Sequence, residues 1–404
     1  MTMIPKIRFS EFEEEWKETT INEISTSYSG GTPSAGEPQY YGGNIPFIRS
    51  GEIHNDKTEL FLTEEGLSSS AAKMVSKGTI LYALYGATSG EVAISQIDGA
   101  INQAILAICV NEKNDSKFVC CQLEKEKKNI VGTYLQGGQG NLSGAIIKNF
   151  KIATPTLSEQ RRISQFFTLL DETIRLEGER LSSLKQVKAA SLQSFFPQEG
   201  EKEPRVRFKG FSGEWKKVKL SECLEISTER NLDNFYGKND VLSVSEELGV
   251  RNQIELLGRS YAGQSVTNYN VLRTNQIVYT KSPLKSKPYG IVKVNKGETG
   301  IVSVLYAVYN VKEGISPDYI HWYFTPNFRL NNYLHPLVNK GAKNTMNISD
   351  EDALKGEIMI PSTLAEQCAL STYFTNIDEQ IRLVSEKIEK MKKVKGACLE
   401  GMMV

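Results

Sequence analysis

The chain is poor in the residues that most protein chemistry needs. Its 404 residues include only three histidines, His54, His321 and His335, and their spacings fit no metal motif. Each reads as a loop or packing histidine. The six cysteines (Cys109, Cys120, Cys121, Cys223, Cys368 and Cys398) form no Cys-x-x-Cys pair, which excludes a zinc ribbon and a dithiol redox motif. Cys368 and Cys398 fall in helical patterns and are expected to be reduced core or seam residues. No apolar run approaches the ~18 residues of a membrane span. The opening MTMIPKIRFSEFEEEW has no apolar signal stretch, so the expectation is a cytoplasmic protein without a membrane partner. Pro-Pro occurs nowhere, which removes the Asn/Asp-Pro-Pro-aromatic motif of adenine methyltransferases. Gly237-Lys238-Asn239 is the nearest approach to a phosphate-cradling Gly-x-x-x-x-Gly-Lys-Ser/Thr loop, and it fails. Pro317-Asp318 is followed by no Asp/Glu-x-Lys that would complete a magnesium nuclease site. No catalytic residue and no metal or cofactor site is expected in this chain.

Net charge is absent too, with 48 basic and 48 acidic residues, but the balance is uneven along the chain. Residues 1–157 hold 14 Lys/Arg and 18 Asp/Glu, and residues 158–204 hold 7 and 8. Residues 205–362 hold 21 and 16, and residues 363–404 hold 6 of each. The third segment has a basic excess that the total conceals.

What the chain does have is an internal repeat. IRFSEFEEEWKETTINEI (7–24) returns as VRFKGFSGEWKKVKLSECLEI (206–226), with Phe9 matching Phe208 and Trp16 matching Trp215 at an offset of 199. PTLSEQRRISQFFTLLDETIRLEGERLSSLKQVKAASLQSFF, from Pro155, returns from Pro361 as PSTLAEQCALSTYFTNIDEQIRLVSEKIEKMKKVKGACLEGMM at an offset of 207. Glu159-Gln160 matches Glu366-Gln367, Asp171 matches Asp378, Arg175 matches Arg382 and Lys188 matches Lys395. The stretches between the blocks differ in length by eight residues and almost completely in sequence.

The second repeated block reads as two long helices. Leu370, Phe374, Ile377, Ile381, Val384, Ile388 and Met391 recur at steps of 4 and 3, a heptad seam. Its weaker copy is Ile163, Phe167, Leu170, Ile174, then Leu181 and Leu184. Ser158 is the expected N-cap of the first helix and Pro197 its stop; QEGEKEP (198–204) reads as a linker. Two core-facing helices are one reading. Pseudo-symmetric helices packed on each other as an antiparallel coiled coil are the preferred one. At 1.5 Å per residue, roughly 40 residues span about 60 Å. The middles read as β-rich. GTILYALYG (78–86), EVAISQI (91–97), AILAICV (104–110), QIVYT (276–280), YGIVKV (289–294) and IVSVLYAVYNV (301–311) are expected strands, and 118–135 and 319–334 are equivalent helices. The class is α+β with a pseudo-two-fold repeat: β-rich domains at 1–157 and 205–362, helical regions at 158–204 and 363–404.

The first half carries GGTPSAGEPQYYGGNIPFIRSGEI (30–53), KGTILYALYGATSGEVAI (77–94), INQAILAI (101–108) and GNLSGAIIKNFKIATPTLSEQRRI (140–163). YNVLRTNQIVYT (269–280) and NTMNISDEDALKGEIMIPS (344–362) follow in the second, where VLSVSEELGV (241–250) stands in place of the IPFI segment. In this order, twice over, the segments resemble the specificity subunits of type I restriction-modification systems. The resemblance spans essentially the whole chain. It implies two target-recognition domains, each reading one half of a bipartite double-stranded DNA target, with the helices setting the gap. It also implies two methyltransferase subunits and restriction subunits as partners, with S-adenosylmethionine, ATP and magnesium held by those partners. Removing about one turn from the first helix would then change the gap and leave both half-sites readable. A coiled-coil scaffold or decoy is the alternative; it explains the helices and not the two divergent β-rich middles.

Candidate DNA contacts are polar or basic residues on loops between strands. In the first half they are Arg49 and Ser50, the loop Tyr85, Gly86, Thr88 and Ser89, and Gln103, which lies beside a strand and which a structural role fits better. In the second they are Lys281, Ser282, Lys285 and Lys287, then Lys343 and Asn344. TKSPLKSK sits where YGATSG sits in the first half, and its three lysines suit phosphate. A merely solvated loop is the competing reading. The Gly-rich 137–141 stretch is a further loop that reads equally well as a plain connection.

Overall fold

The computed structural model describes residues 3–135, 141–281, 286–340 and 346–404. The chain forms two compact units, Met1–Glu179 with Ser385–Val404, and Arg180–Val384. Each long helix, Leu157–Ser194 and Leu364–Met402, therefore begins in one unit and ends in the other.

The first unit is organised by a four-stranded antiparallel sheet in the order Ser25–Ser29, Ile105–Val110, Ile80–Ala83, Val92–Ile94. Successive strand side chains point to opposite faces. Ile80, Tyr82, Leu106 and Ile108 join a core with Phe118, Ile130 and Phe167, while Leu81, Ala83, Ile105 and Ala107 join another with Ile48 and Ile101. Burial on both faces explains why ILYA and ILAICV are continuous apolar runs rather than alternating ones. The second core lies under another sheet, Leu60–Leu62, Tyr41–Ile48, Gly99–Ile101, Lys73–Val75, in which Phe47-Ile48 pairs in parallel with Ala100-Ile101. A Cβ on Gly30 would lie 1.8 Å from the Ile101 carbonyl oxygen, so the glycine at the head of the GGTP segment is a packing requirement.

The second unit repeats this plan. Leu224–Ile226, Ala307–Val311, Ile277–Tyr279, Val292–Val294 stand in the same sheet order, and the same alternation sends Ile277, Tyr279, Ala307 and Tyr309 to one core and Val278 and Val308 to another. Three differences from the sequence reading stand out. The run 301–311 is two strands, Gly300–Val302 and Ala307–Val311, separated by a turn closed by the Tyr306 amide on Ser303 (2.9 Å). The helix expected over 319–334 is two, Pro317–Phe324 and Asn327–Leu334, because Pro326 has no amide to donate. Residues 241–250 form a hairpin, Leu242–Ser245 with Gly249–Asn252, yet Val241 still makes a parallel bridge to Ile301, echoing Ile48 on Ile101.

The repeated Glu-Gln at each helix start fastens the helix to its domain. In the first unit Glu159, 1% exposed, accepts two hydrogen bonds from Arg8 (2.8 Å each) and one from the Trp16 indole (3.3 Å). In the second, Glu366 accepts from Arg207 (2.7 and 2.8 Å) and from Trp215 (3.3 Å). Gln160 and Gln367 accept the amides of Asp115 and Ser316 at 2.9 Å, at the N-caps of Ser116–Tyr134 and Pro317–Phe324. The Arg-Trp-Glu-Gln set in the repeat is thus a clamp built twice. The helix cap falls on Thr156, not Ser158: the helix starts at Leu157, and the Glu159 amide donates to the Thr156 hydroxyl, as Glu366 donates to Thr363.

The helices are antiparallel in both units. In the first, Lys395 meets Glu124 (2.8 Å) and Asp171 (2.9 Å), and Lys387 meets Glu177 (2.5 Å). In the second, the equivalent Lys188 meets the equivalent Asp378, and the Ser191 hydroxyl lies 2.9 Å from that of Tyr373. All thirteen seam positions named above are buried or half-buried. Cys398 is half-buried as expected; Cys368 is exposed, because it lies off the seam beside the buried Gln367.

Burial alone would raise the Asp171 pKa, but Lys117 (2.5 Å) and Lys395 outweigh it and hold the carboxyl below its usual value. Its contribution to stability is therefore complete above the ordinary aspartate pKa of about 3.9 and is lost as pH falls through the depressed folded value. Asp171→Asn is expected to lower the urea midpoint at pH 7 and to differ less from the parent chain near pH 3. An equal gap at both pH values would show that Asp171 does not carry this dependence.

Candidate nucleic-acid interface

In the first unit, three of the loops singled out in the sequence emerge at one end of the paired sheets. Ile48 and Ile101 run parallel, so the chain leaves both strands in the same direction, and the Asn102 amide donates to the Ile48 carbonyl (3.4 Å). The Leu84 amide donates to the Ala104 carbonyl (2.8 Å), which brings the 85–89 loop alongside. Arg49-Ser50, Tyr85–Ser89 and Gln103 are thus gathered at one edge. The exposed Gln103 is tied to it by the Thr32 hydroxyl, which donates to its Oε1 (2.6 Å). Thr32 was not legible as a candidate, since only this pairing brings the GGTP segment to Gln103.

The charge at this edge is spoken for. Arg49 donates to Glu52 (2.9 and 3.1 Å) and to Glu59 (2.6 Å), and hydrogen bonds to Glu52 first and Glu59 second hold its pKa above the usual value. A phosphate would have to compete with two carboxylates. Ser50 opens a short 3-10 turn, Ser50–Glu52. Gly86, at φ +76, turns the chain, and the hydroxyls of Thr88 and Ser89 close back on the Tyr85 and Leu84 carbonyls at 3.5 and 3.3 Å. Tyr85 bridges to Asn141, the one described residue of the 137–141 loop. This edge offers hydroxyl, amide and carbonyl groups on a fixed backbone, the equipment of base-edge hydrogen bonding more than of charge neutralisation.

In the second unit Tyr279 pairs with Val292 as Tyr82 pairs with Val92 in the first, in keeping with the alignment of TKSPLKSK with YGATSG. The described lysines of TKSPLKSK are both paired. Lys281, at φ +50, meets Asp350 (2.6 Å); Lys287, whose side chain is 11% exposed, meets Glu246 (2.9 Å) and donates to the Thr325 carbonyl (3.2 Å). Ser282, Lys285, Lys343 and Asn344 lie outside the described residues. Unpaired charge is found instead on two loops that the sequence reading passed over. Arg230, Lys238 and Arg259 are exposed and have no carboxylate partner among the described residues. Arg259 lies 4.6 Å from the ring of Tyr261, which is 59% exposed, and Phe235 is 83% exposed. Arginine interleaved with aromatics on Asn/Gly-rich loops, in ERNLDNFYGKND (229–240) and GRSYAGQSVTN (258–268), was the available signal.

A twice-built clamp carrying two unlike loop edges can be set beside known proteins. The family model described as the type I restriction modification DNA specificity domain matches residues 13–186. The matched stretch takes in Trp16, the gathered loops, Glu159 and the Asp171 pin. A type I restriction enzyme specificity subunit of Escherichia coli is 26% identical over 174 residues, 41% of this chain and 43% of that protein. One of Methanocaldococcus jannaschii is 24% identical over 190 residues, 45% of this chain and 44% of that protein. The chain thus matches less than half the length of these curated relatives. Beyond the matched residues the likeness is one of fold. The type I restriction-modification S subunit from M. genitalium superposes with a TM-score of 0.61 at 12% identity, over 100% of this chain and 99% of that one. A chain from a study of assembly and conformational transition of the type I R-M system superposes at 0.52 with 15% identity, over 95% and 96%.

Proposed function

We propose that this chain is the DNA sequence-specificity subunit of a type I restriction-modification complex: it reads a bipartite target and positions methyltransferase and restriction subunits on it without catalysing a reaction. The observation that carries this reading is the same helix-anchored frame built twice with different loop edges, one polar and self-neutralised, the other with exposed arginine and aromatic side chains. Similar frames with unlike edges are what reading two different half-sites requires, because base edges are read by the side chains presented and not by the frame. The two helices that pass from one unit to the other would set the gap between half-sites.

The helices also support a pair of like partners. Leu176 and Leu383 are both 50% exposed, and Val187 and Val394 are 49% and 45% exposed. Each pair occupies equivalent positions of the repeat, so one partner surface would find the same apolar contacts twice. Two methyltransferase subunits fit this, and S-adenosylmethionine, ATP and magnesium are assigned to the partners. Among the described residues no His/Cys/Asp/Glu group is arranged to hold a metal, and no helix is long and apolar enough to cross a membrane. A cytoplasmic complex is the proposed setting.

The test is an adenine methylome. The chain is co-expressed with the methyltransferase subunit of its own system in a host without that modification, and native DNA is sequenced with detection of modified bases. A two-part methylated motif with a fixed gap, absent when this chain is omitted, is the expected result. A soluble complex that leaves the DNA unmethylated would favour a scaffold or decoy.

A further inference from the structure

Phe235 is displayed in a way that core packing does not explain. Its side chain is 83% exposed, yet the loop that carries it is fixed from within. Asn231, 3% exposed, donates its side-chain amide to the carbonyls of Tyr236 (2.8 Å) and Val266 (3.3 Å) and accepts the Tyr236 amide (3.0 Å). Asn234 takes the left-handed conformation (φ +52) and accepts a hydrogen bond from the Thr267 hydroxyl (2.6 Å). The Phe235 ring meets Tyr236 edge-on at 4.9 Å, and Tyr236 packs against the buried Val241, Val266, Val271 and Ile301. A buried asparagine thus holds a phenylalanine out in water. The same loop carries the exposed Leu232, and its exposed charges are mixed: Arg230 and Lys238, without a carboxylate partner among the described residues, alternate with Asp233 and Asp240.

Resting on the DNA-reading role above, we infer that Phe235 is a specificity-determining residue that reads a thymine in one half-site by contact with its methyl group. Arg230 and Lys238 on the same loop are cations available to phosphate, while the ring itself has no charge to offer. Among the base edges in the major groove, hydrogen-bond donors and acceptors are useless to a phenyl ring, and the thymine methyl is the apolar group on offer.

The experiment uses the full chain with its methyltransferase subunit and duplexes carrying the motif recovered from the methylome. Each thymine of the motif is replaced in turn by deoxyuridine, which lacks the methyl group, and binding is followed by fluorescence anisotropy at fixed salt. One replacement is expected to weaken the parent complex about ten-fold. Phe235→Ala binds the unmodified duplex weaker by the same factor and ignores that replacement, while Phe235→Leu, still apolar, keeps part of the sensitivity. An unchanged thermal midpoint for Phe235→Ala establishes that the loop's core is intact. Parent-like binding by Phe235→Ala overturns the inference, as does a loss that no thymine replacement reproduces in the parent, which would make the ring a wedge between base steps. A parent complex that does not distinguish the motif from a scrambled duplex would remove the DNA-reading role itself, a result distinct from either.

Discussion

Glu366→Ala is expected to destabilise the second unit by about 3–5 kcal/mol, the cost of leaving one partner of a buried ion pair uncompensated. The Glu366 side chain is 3% exposed and that of Arg207 14%. Without the carboxylate, the guanidinium keeps only the carbonyls of Gly213 (2.7 Å) and Ser212 (3.1 Å), and the Trp215 indole loses its acceptor inside the core. In the parent chain the hydrogen bond to Glu366, ahead of the opposing effect of burial, holds the Arg207 pKa above its usual value; without Glu366 the guanidinium still stays charged, because arginine does not lose its proton in proteins. The exposed pair Lys202–Glu214 serves as control, with side chains 70% and 63% exposed; such pairs contribute about 0–1 kcal/mol. Urea unfolding followed by tryptophan fluorescence compares the two. If Glu366→Ala shifted the transition no more than Glu214→Ala, the clamp would be an ornament of the repeat and not what fastens helix to domain.

The second large effect tests the proposed role of the helices in setting the gap between half-sites. Both long helices run from one unit into the other, so shortening the first alone leaves two connections of unequal length, and the expectation from the sequence that this deletion would simply change the gap gives way to a matched pair of deletions. Removing four residues around 179–180 together with four around 386–387 keeps them equal. It also spares the pins in both units, Lys395 on Asp171 and Lys188 on Asp378. At 1.5 Å per residue each helix loses about 6 Å, about two base-pair steps at 3.4 Å each. The expected methylome has the same two half-sites with a shorter gap, whereas the single deletion is expected to lose most methylation. Full methylation at the original gap in the matched variant would mean that the helices do not set it.

Much of the frame was legible in the chain. The offsets of the repeat located the clamp, since Trp16, Glu159 and Gln160 recur as Trp215, Glu366 and Gln367. Heptad spacing located the seam, because side chains 3 and 4 apart must share a helix face. Apolar runs located the central strands, and they failed where a local feature overrode pattern: at the Ser303–Tyr306 turn, where apolar residues continue through a reversal, and at Pro326, which splits a helix. The interface was harder. Loop lysines look free in a sequence, but Lys281 and Lys287 find Asp350 and Glu246, which are 69 and 41 positions away in the chain, and no local rule anticipates such partners.

The sequence by itself determined a duplicated α+β protein with two long helices and no legible catalytic motif, because repeats, periodicity and motif spacing are properties of the linear chain. The tertiary structure decided which charges are spent and which side chains are shown. It neutralised Arg49 with Glu52 and Glu59, gave Arg230 and Lys238 no carboxylate partner among the described residues, and used a buried Asn231 to hold Phe235 in water. Ion pairing and exposure depend on residues that folding brings together from distant positions, and only the folded chain fixes those.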